Sequence, residues 1–335
     1  MTRAAVFGTG NWGTAFAMVL SEAGTETVLC GRRQELADRI NRTHENADYL
    51  PGVELPKELR ATTDPAEALD GAEFLVLAVP AQQLRANLAG WAPVAGPETV
   101  YVSLMKGIEL GTCMRMSEVI AQAAGVGQDR IAVVTGPNLA QEIVTRLPGA
   151  AAAVACADAG VAARLQHACH CAYFRPYTNT DVIGCELGGA VKNVIALAAG
   201  IAEGMGLGDN AKASLITRGL AETTRLGVAL GADPYTFAGL AGLGDLVATC
   251  SSLLSRNHRF GVLLGQGRSV EQAQAEVRQT TEGVKSCSSI QQLAGRVGVE
   301  MPIVDTVVGV VHDGRSPREM LAGLLARSAK SEALY

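Results

Sequence analysis

The 335-residue sequence predicts an α/β fold in two parts, an N-terminal doubly wound and mostly parallel sheet followed by a C-terminal all-α domain. In the first part, short continuous apolar runs alternate with helical patterns, as expected of parallel strands covered by helices on both faces. From about Asp181 these strand-like runs disappear, and long stretches rich in Ala, Leu and Gly take their place. The chain changes class near residues 178–184, and we therefore predict domains at 1–180 and 181–335.

Each predicted strand of the first domain coincides with a short apolar run. The first strand leads into a glycine-rich turn, and the helix after that turn extends from about Trp12 to Ala23. Pro80 ends the run Phe-Leu-Val-Leu-Ala-Val, because a proline nitrogen cannot donate a hydrogen bond to the sheet. The predicted strands are Ala4–Phe7, Thr27–Cys30, Phe74–Val79, Thr99–Leu104, Ile131–Val134 and Ala150–Ala155.

The second domain is predicted to consist of helices that pack through small side chains. Hydrophobic residues make up 48% of the chain but aromatic residues only 4%, so the core must be built mostly from Ala, Val and Leu. Side chains of this size let helices approach one another closely. The predicted helices are Leu187–Met205, Ala211–Leu230, Val270–Gln279, Ser286–Val297 and Val304–His312.

The charge pattern and the apolar runs argue against several classes of protein. The formal net charge is -5 with both signs interspersed, so no basic stripe suggests nucleic-acid binding. No uninterrupted apolar run reaches about 20 residues, the length of a membrane span. The N-terminal residues lead at once into the first strand, which leaves no room for a signal peptide. We therefore expect a cytoplasmic protein with a small-molecule ligand and without an integral membrane segment.

The eight cysteines are expected to be buried free thiols. Most of them lie in apolar runs, and a chain of this size needs no disulfide framework. Cys169 and Cys171 flank His170, but one C-x-C pair without a second pair is a poor zinc signature. No metal site is predicted.

A glycine-rich turn lies between the first strand and the first helix. Its sequence, Gly8-Thr-Gly10-Asn11-Trp12-Gly13, has the spacing of a dinucleotide-binding βαβ unit. In such a unit the glycines form a tight turn, admit a pyrophosphate close to the backbone and let the helix pack on the strand. The N–H groups and the positive dipole end of the helix bind the phosphates. The motif predicts a Rossmann-like domain whose dinucleotide contacts include Asn11 and Trp12.

The residues after the second strand bear on which dinucleotide is bound. Domains that prefer NAD usually place an acidic residue there for the 2′-hydroxyl of the ribose. This chain has Cys30-Gly31-Arg32-Arg33 instead, and a guanidinium pairs well with a 2′-phosphate. The pattern favours NADP, with NAD as a second cofactor. The alternative is that one arginine only caps the strand or stacks on adenine.

Four further segments carry the most specific information in the sequence. They are Ser103-Leu-Met-Lys106-Gly107-Ile-Glu, Gly136-Pro-Asn138-Leu-Ala140, Glu186-Leu-Gly-Gly-Ala-Val-Lys192-Asn193-Val-Ile, and Gly242-Leu-Gly-Asp245-Leu-Val-Ala-Thr249, which continues to Ser255-Arg256-Asn257. Together with the glycine-rich turn, and in the same order over nearly the whole chain, they resemble the bacterial-type NAD(P)-dependent glycerol-3-phosphate dehydrogenase family. The fold of that family, a Rossmann-like domain and then a helical domain, agrees with the predicted division.

By this resemblance Lys192 is the general acid/base. The oxidation of a secondary alcohol moves a hydride to the nicotinamide while the hydroxyl group loses a proton, so the chemistry needs such a group. A lysine serves only if its pKa falls from about 10 toward roughly 7–8. Burial or a second lysine such as Lys106 would lower that pKa, and a dianionic substrate would raise it. The alternative is a lysine that reaches solvent from the edge of its helix.

The resemblance also implies roles for other polar residues. Asp245 would lie beside Lys192 and orient it or the substrate, although its place after Gly244 also suits a helix N-cap. Arg256 offers planar donors that suit phosphate oxygens, and we assign it to both cofactor and substrate. Lys106 is a third catalytic candidate and contacts both ligands. The other implied substrate contacts are Gly136, Asn138, Asn193, Thr249, Ser255 and Asn257, and the other implied cofactor contacts are Ala140 and Glu282.

Some of these positions have alternative interpretations. Many relatives carry Ser or Thr where this chain has Asn138, although an amide can also donate to a substrate oxygen. Glu282, in Thr280-Thr-Glu-Gly-Val, is alternatively part of a helix cap ahead of Gly283. His258 and His312 are candidate acids on general grounds, but no pattern places either in the site, so structural or solvated histidines are expected.

The activity implied by the resemblance is the reversible NAD(P)-dependent reduction of dihydroxyacetone phosphate to sn-glycerol 3-phosphate, a supply of glycerol 3-phosphate for phospholipid synthesis. Homodimers are usual in the family. Two alternatives remain open: another dehydrogenase of the same architecture, of the hydroxyacid or 6-phosphogluconate type, and a non-catalytic dinucleotide sensor. The first is not expected to retain the segments around Asp245 and Arg256 together. The second is expected to have lost catalytic residues that this chain retains.

Overall fold

The computed structural model describes residues 2–277 and 281–325, and it divides them into two compact units. The first unit comprises the described residues up to Met105 together with Met116–Val182. The second comprises Lys106–Arg115 together with the described residues from Ile183 onward. A division after residue 180 does not anticipate that Lys106–Arg115, which occurs early in the sequence, belongs to the second unit.

One mostly parallel sheet forms the centre of the first unit. Its strands, within the described residues, are Arg3–Phe7 (β1), Glu26–Cys30 (β2), Arg60–Thr62 (β3), Phe74–Leu77 (β4), Val100–Ser103 (β5), Ile131–Thr135 (β6), Ala150–Cys156 (β7) and Phe174–Asn179 (β8). Their order across the sheet is β3-β2-β1-β4-β5-β6-β7-β8. Among these neighbouring strands only the β6–β7 pair is antiparallel. The predicted sheet is confirmed.

The central strands are the ones that the apolar runs predict. β4, β5 and β6 are buried at every residue, because helices cover both faces of a parallel sheet. β1 pairs with β2 on one side and with β4 on the other, so the strand order reverses there. In open sheets of this kind ligands bind beyond the carboxyl ends of the strands at such a reversal.

Neither edge strand, β3 or β8, is predicted by the apolar runs. β8 alternates buried and exposed residues and contains Pro176, which a sheet tolerates in an edge strand. β3 has only three residues, too few to show a period. The described helices of this unit are Asn11–Glu22 (α1), Gln34–Thr43 (α2), Pro65–Leu69 (α3), Leu84–Trp91 (α4), Met116–Ala124 (α5), Ala140–Ile143 (α6) and Ala159–Cys169 (α7).

Apart from a single antiparallel bridge in the segment Lys106–Arg115, the described secondary structure of the second unit is helical, as predicted. Its helices are Val182–Gly204 (α8), Asp209–Ala229 (α9), Asp245–Ser251 (α10), Arg256–Gly265 (α11), Val270–Val277 (α12), Glu282–Arg296 (α13), Pro302–Val311 (α14) and Pro317–Leu325 (α15). The predicted helix Val270–Gln279 corresponds to α12, and Gln279 lies outside the described residues. The helices α10 and α11 are not predicted, because the sequence around them is rich in glycine and serine.

One helix in the described part of the chain, α8, is long and apolar enough to cross a membrane by length and composition. Of its most apolar stretch, 94% is buried inside the protein. Glu186 and Lys192 interrupt the apolar sequence, and core helices of soluble proteins pass the same test. The feature is therefore weak evidence for a membrane span.

The helices α8 and α11 pack with their backbones in direct contact. A Cβ atom on Gly200 would lie 2.1 Å from the carbonyl oxygen of His258, and one on Gly261 would lie 2.2 Å from that of Leu197. The same closeness occurs at Gly204 and Gly265, one helical turn further along each helix. This contact explains why the core needs small residues, and it brings the first turn of α11 beside the middle of α8.

We expect Gly261→Ala to lower the free energy of unfolding by about 2 kcal/mol or more, because the added methyl group collides with backbone that cannot move aside. Gly295→Ala is the matched control, since no described atom lies within 4 Å of its Cβ position in α13. That substitution should leave stability unchanged or raise it by up to about 1 kcal/mol. Urea denaturation monitored by circular dichroism measures both, and equal stability of the two variants would contradict the packing argument.

Candidate functional site

The turn between β1 and α1 requires glycine at two positions and is open at a third. Gly8 has a φ of 120°, and a Cβ atom there would lie 2.4 Å from the carbonyl oxygen of Ala78. A Cβ atom on Gly13 would lie 2.0 Å from the carbonyl oxygen of Gly8. At Gly10 no described atom lies within 4 Å of the Cβ position, so a ligand can approach this backbone. The turn fits a pyrophosphate.

The helix α1 begins at Asn11, and its N-terminus has no side-chain cap. The first N–H groups of a helix lack partners within the helix and carry the positive end of its dipole.

The loop after α2 holds the turn in place. Asn46 is fully buried and donates hydrogen bonds to the carbonyl oxygen of Thr9 (2.9 Å) and to Thr14 Oγ1 (2.8 Å). Asn11 Nδ2 donates to the carbonyl oxygen of Tyr49 at 3.0 Å.

The two arginines after β2 have different surroundings. Arg33 Nη2 lies 2.7 Å from Asp48 Oδ2, and its guanidinium lies 5.9 Å from the ring centroid of Tyr49. Arg39 pairs with the same carboxylate, and the hydrogen bonds from Arg33 and Arg39 lower the pKa of Asp48. Arg32 is exposed. The sequence pattern does not reveal Asp48, which places a negative charge beside Arg33.

Gly136, Asn138 and Ala140 follow β6 in the first unit. Gly136 has a φ of 138°, which favours glycine at this bend. Both polar side-chain atoms of Asn138 are buried and form no hydrogen bond with any described residue. Because buried polar groups in native proteins are nearly always bonded, this amide is suited to a ligand. Ala140 begins α6, whose N-cap forms no side-chain hydrogen bond.

The second unit contains a buried cluster of two lysines and one carboxylate. Lys192 Nζ lies 2.5 Å from Asp245 Oδ1, and Lys106 Nζ lies 2.6 Å from Asp245 Oδ2. Lys192 Nζ also donates to Thr249 Oγ1 at 2.6 Å. The side chains of Lys192 and Asp245 are 8% and 2% exposed, so Lys192 does not reach solvent from a helix edge. The N-cap of α10 is Gly244, and the oxygens of Asp245 bind lysines instead.

The cluster combines a positive charge with a lysine whose pKa lies well below the ordinary value for this side chain. Burial lowers the pKa of Lys192 to about 8, because an ammonium loses its hydration inside a protein. The Asp245 carboxylate opposes this effect and raises the pKa, whereas the Lys106 ammonium lowers it further. With both lysines protonated and Asp245 ionised, the three groups carry one net positive charge, which suits an anionic ligand.

A close backbone contact places Asp245 opposite Lys192. The π-helical turn Leu240–Gly244 precedes α10, and such turns occur frequently at functional sites. A Cβ atom on Gly188 of α8 would lie 2.4 Å from the carbonyl oxygen of Ala241 in this turn. The glycine therefore lets the turn lie against α8.

Asn193 and Asn257, expected as substrate contacts, have their amides bonded within the protein. Asn257 Nδ2 donates to Asn193 Oδ1 at 3.0 Å, and Asn257 Oδ1 accepts from the backbone N–H of Gly283 at 2.9 Å. Asn193 Nδ2 donates to the carbonyl oxygens of Lys106 (3.2 Å) and Gly189 (3.3 Å). The two amides join α8, α11, the start of α13 and the segment at Lys106.

The other predicted residues lie at helix starts. Ser255 is the N-cap of α11, and its Oγ accepts from the backbone N–H of His258 at 3.2 Å. Arg256 is the first residue of α11 and is exposed. Glu282 is the first residue of α13, after the N-cap Thr281, and Thr280 of the same motif lies outside the described residues.

The candidate histidines bond to groups outside the lysine–carboxylate cluster, and within the described residues no metal cluster accompanies the cysteines. His258 is 1% exposed, with Nε2 3.2 Å from Glu203 Oε2, and burial lowers its pKa. His312 Nε2 lies 3.1 Å from the carbonyl oxygen of Val284. Across residues 2–277 and 281–325, no three His, Cys, Asp or Glu side chains are grouped so as to hold a metal ion.

A dinucleotide turn in a Rossmann-like unit and a buried lysine–carboxylate cluster in a helical unit define the class, a nicotinamide-dependent dehydrogenase. Two family models narrow the class. Residues 3–162 match the NAD-dependent glycerol-3-phosphate dehydrogenase N-terminus, and residues 181–322 match the NAD-dependent glycerol-3-phosphate dehydrogenase C-terminus. The chain belongs to the NAD-dependent glycerol-3-phosphate dehydrogenase family, which confirms the resemblance.

Close relatives agree over the full length of the chain. The chain is 68% identical over 330 residues to a glycerol-3-phosphate dehydrogenase (NAD(P)+) from Streptomyces avermitilis, with 98% of both proteins covered. It is 64% identical over 333 residues to the Thermobifida fusca protein of the same name, with 99% of both covered. The family assignment and these relatives confirm the predicted enzyme class and its nicotinamide cofactor, and neither open alternative is supported.

Solved structures of glycerol-3-phosphate dehydrogenases also match the chain over nearly its whole length. The structure of glycerol-3-phosphate dehydrogenase from Coxiella burnetii matches with a TM-score of 0.92 and 36% identity, covering 97% of this chain and 99% of that one. The Saccharomyces cerevisiae enzyme matches with a TM-score of 0.83 and 25% identity over 96% and 98% of the two chains. A ketopantoate reductase from Ralstonia eutropha, at 15% identity and a TM-score of 0.59, shares the fold alone.

Proposed function

We propose that the chain catalyses the reversible reduction of dihydroxyacetone phosphate to sn-glycerol 3-phosphate, with NADPH as the preferred cofactor and NADH as a second one. The observation that carries the proposal is the buried Lys106–Asp245–Lys192 cluster. It supplies a positive charge and a proton donor in one place, which are the two needs of this reaction. The glycerol-3-phosphate dehydrogenases with which the chain aligns over its full length support the choice of substrate.

In the proposed site, positive side chains hold a dianionic substrate. The cluster attracts the phosphate, and Arg256, exposed at the start of α11, offers paired donors to phosphate oxygens. Lys106 contributes both charge and a direct contact near the reacting carbon. The buried amide of Asn138, in the first unit, is proposed to bind a ligand oxygen.

Lys192 is the proposed proton donor. The nicotinamide ring, when bound, supplies the hydride to the carbonyl carbon in the direction of reduction. The carbonyl oxygen takes a proton from the Lys192 ammonium, which leaves the secondary alcohol of the product and a neutral amine. In the reverse direction the neutral amine accepts the hydroxyl proton. Its pKa of about 8 allows both protonation states near neutral pH.

Asp245 and Thr249 have positioning roles in this scheme. Asp245 holds the Lys192 ammonium from one side, and Thr249 Oγ1 accepts a second hydrogen bond from Nζ. Two fixed acceptors leave one N–H of the ammonium to point at the substrate oxygen. The direction of proton transfer is then set before the substrate binds, which lowers the entropic cost of reaching the transition state.

The first unit is the proposed cofactor site. Gly10 and the uncapped start of α1 receive the pyrophosphate, and Trp12 lies in the first turn of that helix. Arg32 and Arg33 receive the 2′-phosphate of NADP, and the Asp48 carboxylate beside Arg33 weakens that preference enough for NAD to bind as well.

We further propose that the protein is a cytoplasmic homodimer that supplies glycerol 3-phosphate for phospholipid synthesis. All eight cysteines are free and seven are buried, which suits a reducing compartment. Several large apolar side chains of the second unit are exposed, including Tyr235 at 83% and Leu253 at 73%, which supports contact with a second subunit.

The test of the activity is the loss of reduced-nicotinamide absorbance with dihydroxyacetone phosphate. We expect turnover by the wild type, and a fall in kcat of about 10²- to 10⁴-fold in Lys192→Met, because the proton donor is lost while an unbranched side chain still fills its place. Lys57→Met, an exposed lysine of the first unit, is the control and should retain wild-type rates. Absence of turnover with NADPH and with NADH would refute the proposal.

The pH dependence follows from the pKa of Lys192, which burial lowers to about 8. Oxidation of glycerol 3-phosphate needs the neutral amine, so its kcat/KM should rise with pH and level off above about 8. Reduction needs the ammonium, so its kcat/KM should fall above about 8. Asp245→Asn removes the carboxylate that raises this pKa, so both limbs should move to lower pH. Limbs that stay in place in this variant would contradict the role of Lys192.

Cofactor preference is predicted to follow the charges around Arg33. Arg32→Ala and Arg33→Ala should raise KM for NADPH about 10-fold while changing KM for NADH little, because each loses a charged hydrogen bond to the 2′-phosphate. Asp48→Asn should change preference the other way, since it removes a carboxylate beside Arg33. Arg164→Ala, which breaks an exposed ion pair with Glu73, is the control. Equal effects on the two cofactors would contradict a 2′-phosphate site.

A further inference from the structure

The segment Lys106–Arg115 forms a small closed loop within the second unit. Its two arms meet in an antiparallel bridge between Ile108 and Arg115. The backbone N–H of Glu109 donates to the carbonyl oxygen of Met114 at 2.9 Å, next to that bridge. The joined arms link Arg115 to Ile108, two residues after Lys106, and the core of the second unit also buries Ile108.

A buried ion pair attaches the end of this loop to α8. Arg115 Nη1 lies 2.7 Å from Glu186 Oε2, and the side chains are 14% and 4% exposed. Burying a carboxylate this deeply is expensive unless a charged partner accompanies it. The pair is therefore a specific attachment, because it joins two largely buried charges at 2.7 Å.

The start of the loop is attached to the same face of the same helix. Asn193 Nδ2 donates to the carbonyl oxygen of Lys106 at 3.2 Å. Glu186 and Asn193 are seven residues apart on α8, which returns to nearly the same face after two turns, about 10.5 Å along the axis. One stripe of α8 thus holds both ends of the loop, with Lys106 at one end and Arg115 at the other.

We propose that Glu186 and Arg115 form a positioning clamp that holds Lys106 against Asp245 and so sets the proton-transfer properties of Lys192. The clamp deepens the proposed function and rests on it for the role of Lys192 in turnover. Neither clamp residue needs to touch a ligand. Each acts through Lys106, whose ammonium lies 2.6 Å from Asp245 Oδ2 and is expected to leave that oxygen when the clamp opens.

The consequence for Lys192 has a definite sign. Asp245, Thr249, Lys106 and Cys250 surround its amine. Of these, the Lys106 ammonium lowers the pKa of Lys192, whereas Asp245 raises it. If the clamp opens and Lys106 leaves, Asp245 still pairs with Lys192 but no longer with Lys106, and the pKa of Lys192 rises.

Another attachment of the same loop offers a matched control. Arg296 Nη1 donates to the carbonyl oxygen of Thr112 at 2.7 Å, at the tip of the loop. Arg296→Met removes this attachment and a surface charge but leaves the Ile108–Arg115 bridge and both ends of the loop on α8. If any loosening of the loop displaced Lys106, Arg296→Met would behave like the clamp variants. If the attachment at Arg115 is the one that positions Lys106, Arg296→Met should behave like the wild type.

The variants are Glu186→Gln, Arg115→Met and Arg115→Lys, with the double variant Arg115→Met/Glu186→Met. The double variant removes both charges of the pair at once, so it is expected to fold even where a single variant does not. In all but Arg115→Lys we expect kcat/KM for dihydroxyacetone phosphate to fall about 10-fold or more, with KM for NADPH within about 2-fold of wild type. Arg115→Lys should restore part of the loss.

The decisive measurement is the pH midpoint for acetylation of Lys192 by acetic anhydride in the full-length protein, read by peptide mass spectrometry. We expect the midpoint to rise by about one pH unit in the clamp variants and to stay at the wild-type value in Arg296→Met. An unchanged midpoint in the folded double variant, or an equal rise in Arg296→Met, would overturn the clamp. This readout needs no substrate, so a protein without dihydroxyacetone phosphate turnover would refute the proposed function while the midpoint still decides on the clamp.

Discussion

The burial of one ammonium group, that of Lys192, is the constraint on which the second unit depends. A lysine in a helix as apolar as α8 would lose its proton without a counter-ion, and a single counter-ion in close contact would hold the proton too firmly for exchange. Asp245 supplies the counter-ion, and Lys106 shares that carboxylate and so weakens its hold on Lys192. The pKa of about 8 results from opposing effects, in which burial lowers and Asp245 raises the value.

The scaffold around the cluster follows from that requirement. Asp245 reaches Lys192 because Gly188 lets the π-helical turn before α10 lie against α8, and the first turn of α11 reaches the same helix because Gly200 and Gly261 bring the backbones together. A larger side chain at any of these glycines would collide with a carbonyl group. The small residues at these contacts are therefore linked to the site, since helices must approach α8 closely for their polar groups to meet.

The sequence predicts what depends on local pattern and misses what depends on pairing across the fold. The glycine-rich turn and the central strands are local, so their positions follow from spacing and apolar runs. β8 escapes prediction because Pro176 and its polar residues are tolerated only at the edge that the fold gives it. Resemblance identifies Lys192 and Asp245 as site residues, yet the contact of both Lys192 and Lys106 with the Asp245 carboxylate appears only in three dimensions. Asn46 and Asp48 are missed since each lies in a loop without a period, and their partners define their roles.

The loop Lys106–Arg115 shows that the two halves of the sequence are not two independent halves of the protein. This loop follows β5 in the chain, but Ile108 and Cys113 are buried in the hydrophobic core of the second unit. Residues 181–335 alone would contain Lys192 and Asp245 without the second ammonium, and Glu186 would lose its Arg115 partner. The proton-exchanging cluster therefore requires the chain to pass from the sheet into the helical unit and back. A division of the sequence by composition cannot show this, because ten residues that belong to the second unit do not change the overall composition of the first half of the sequence.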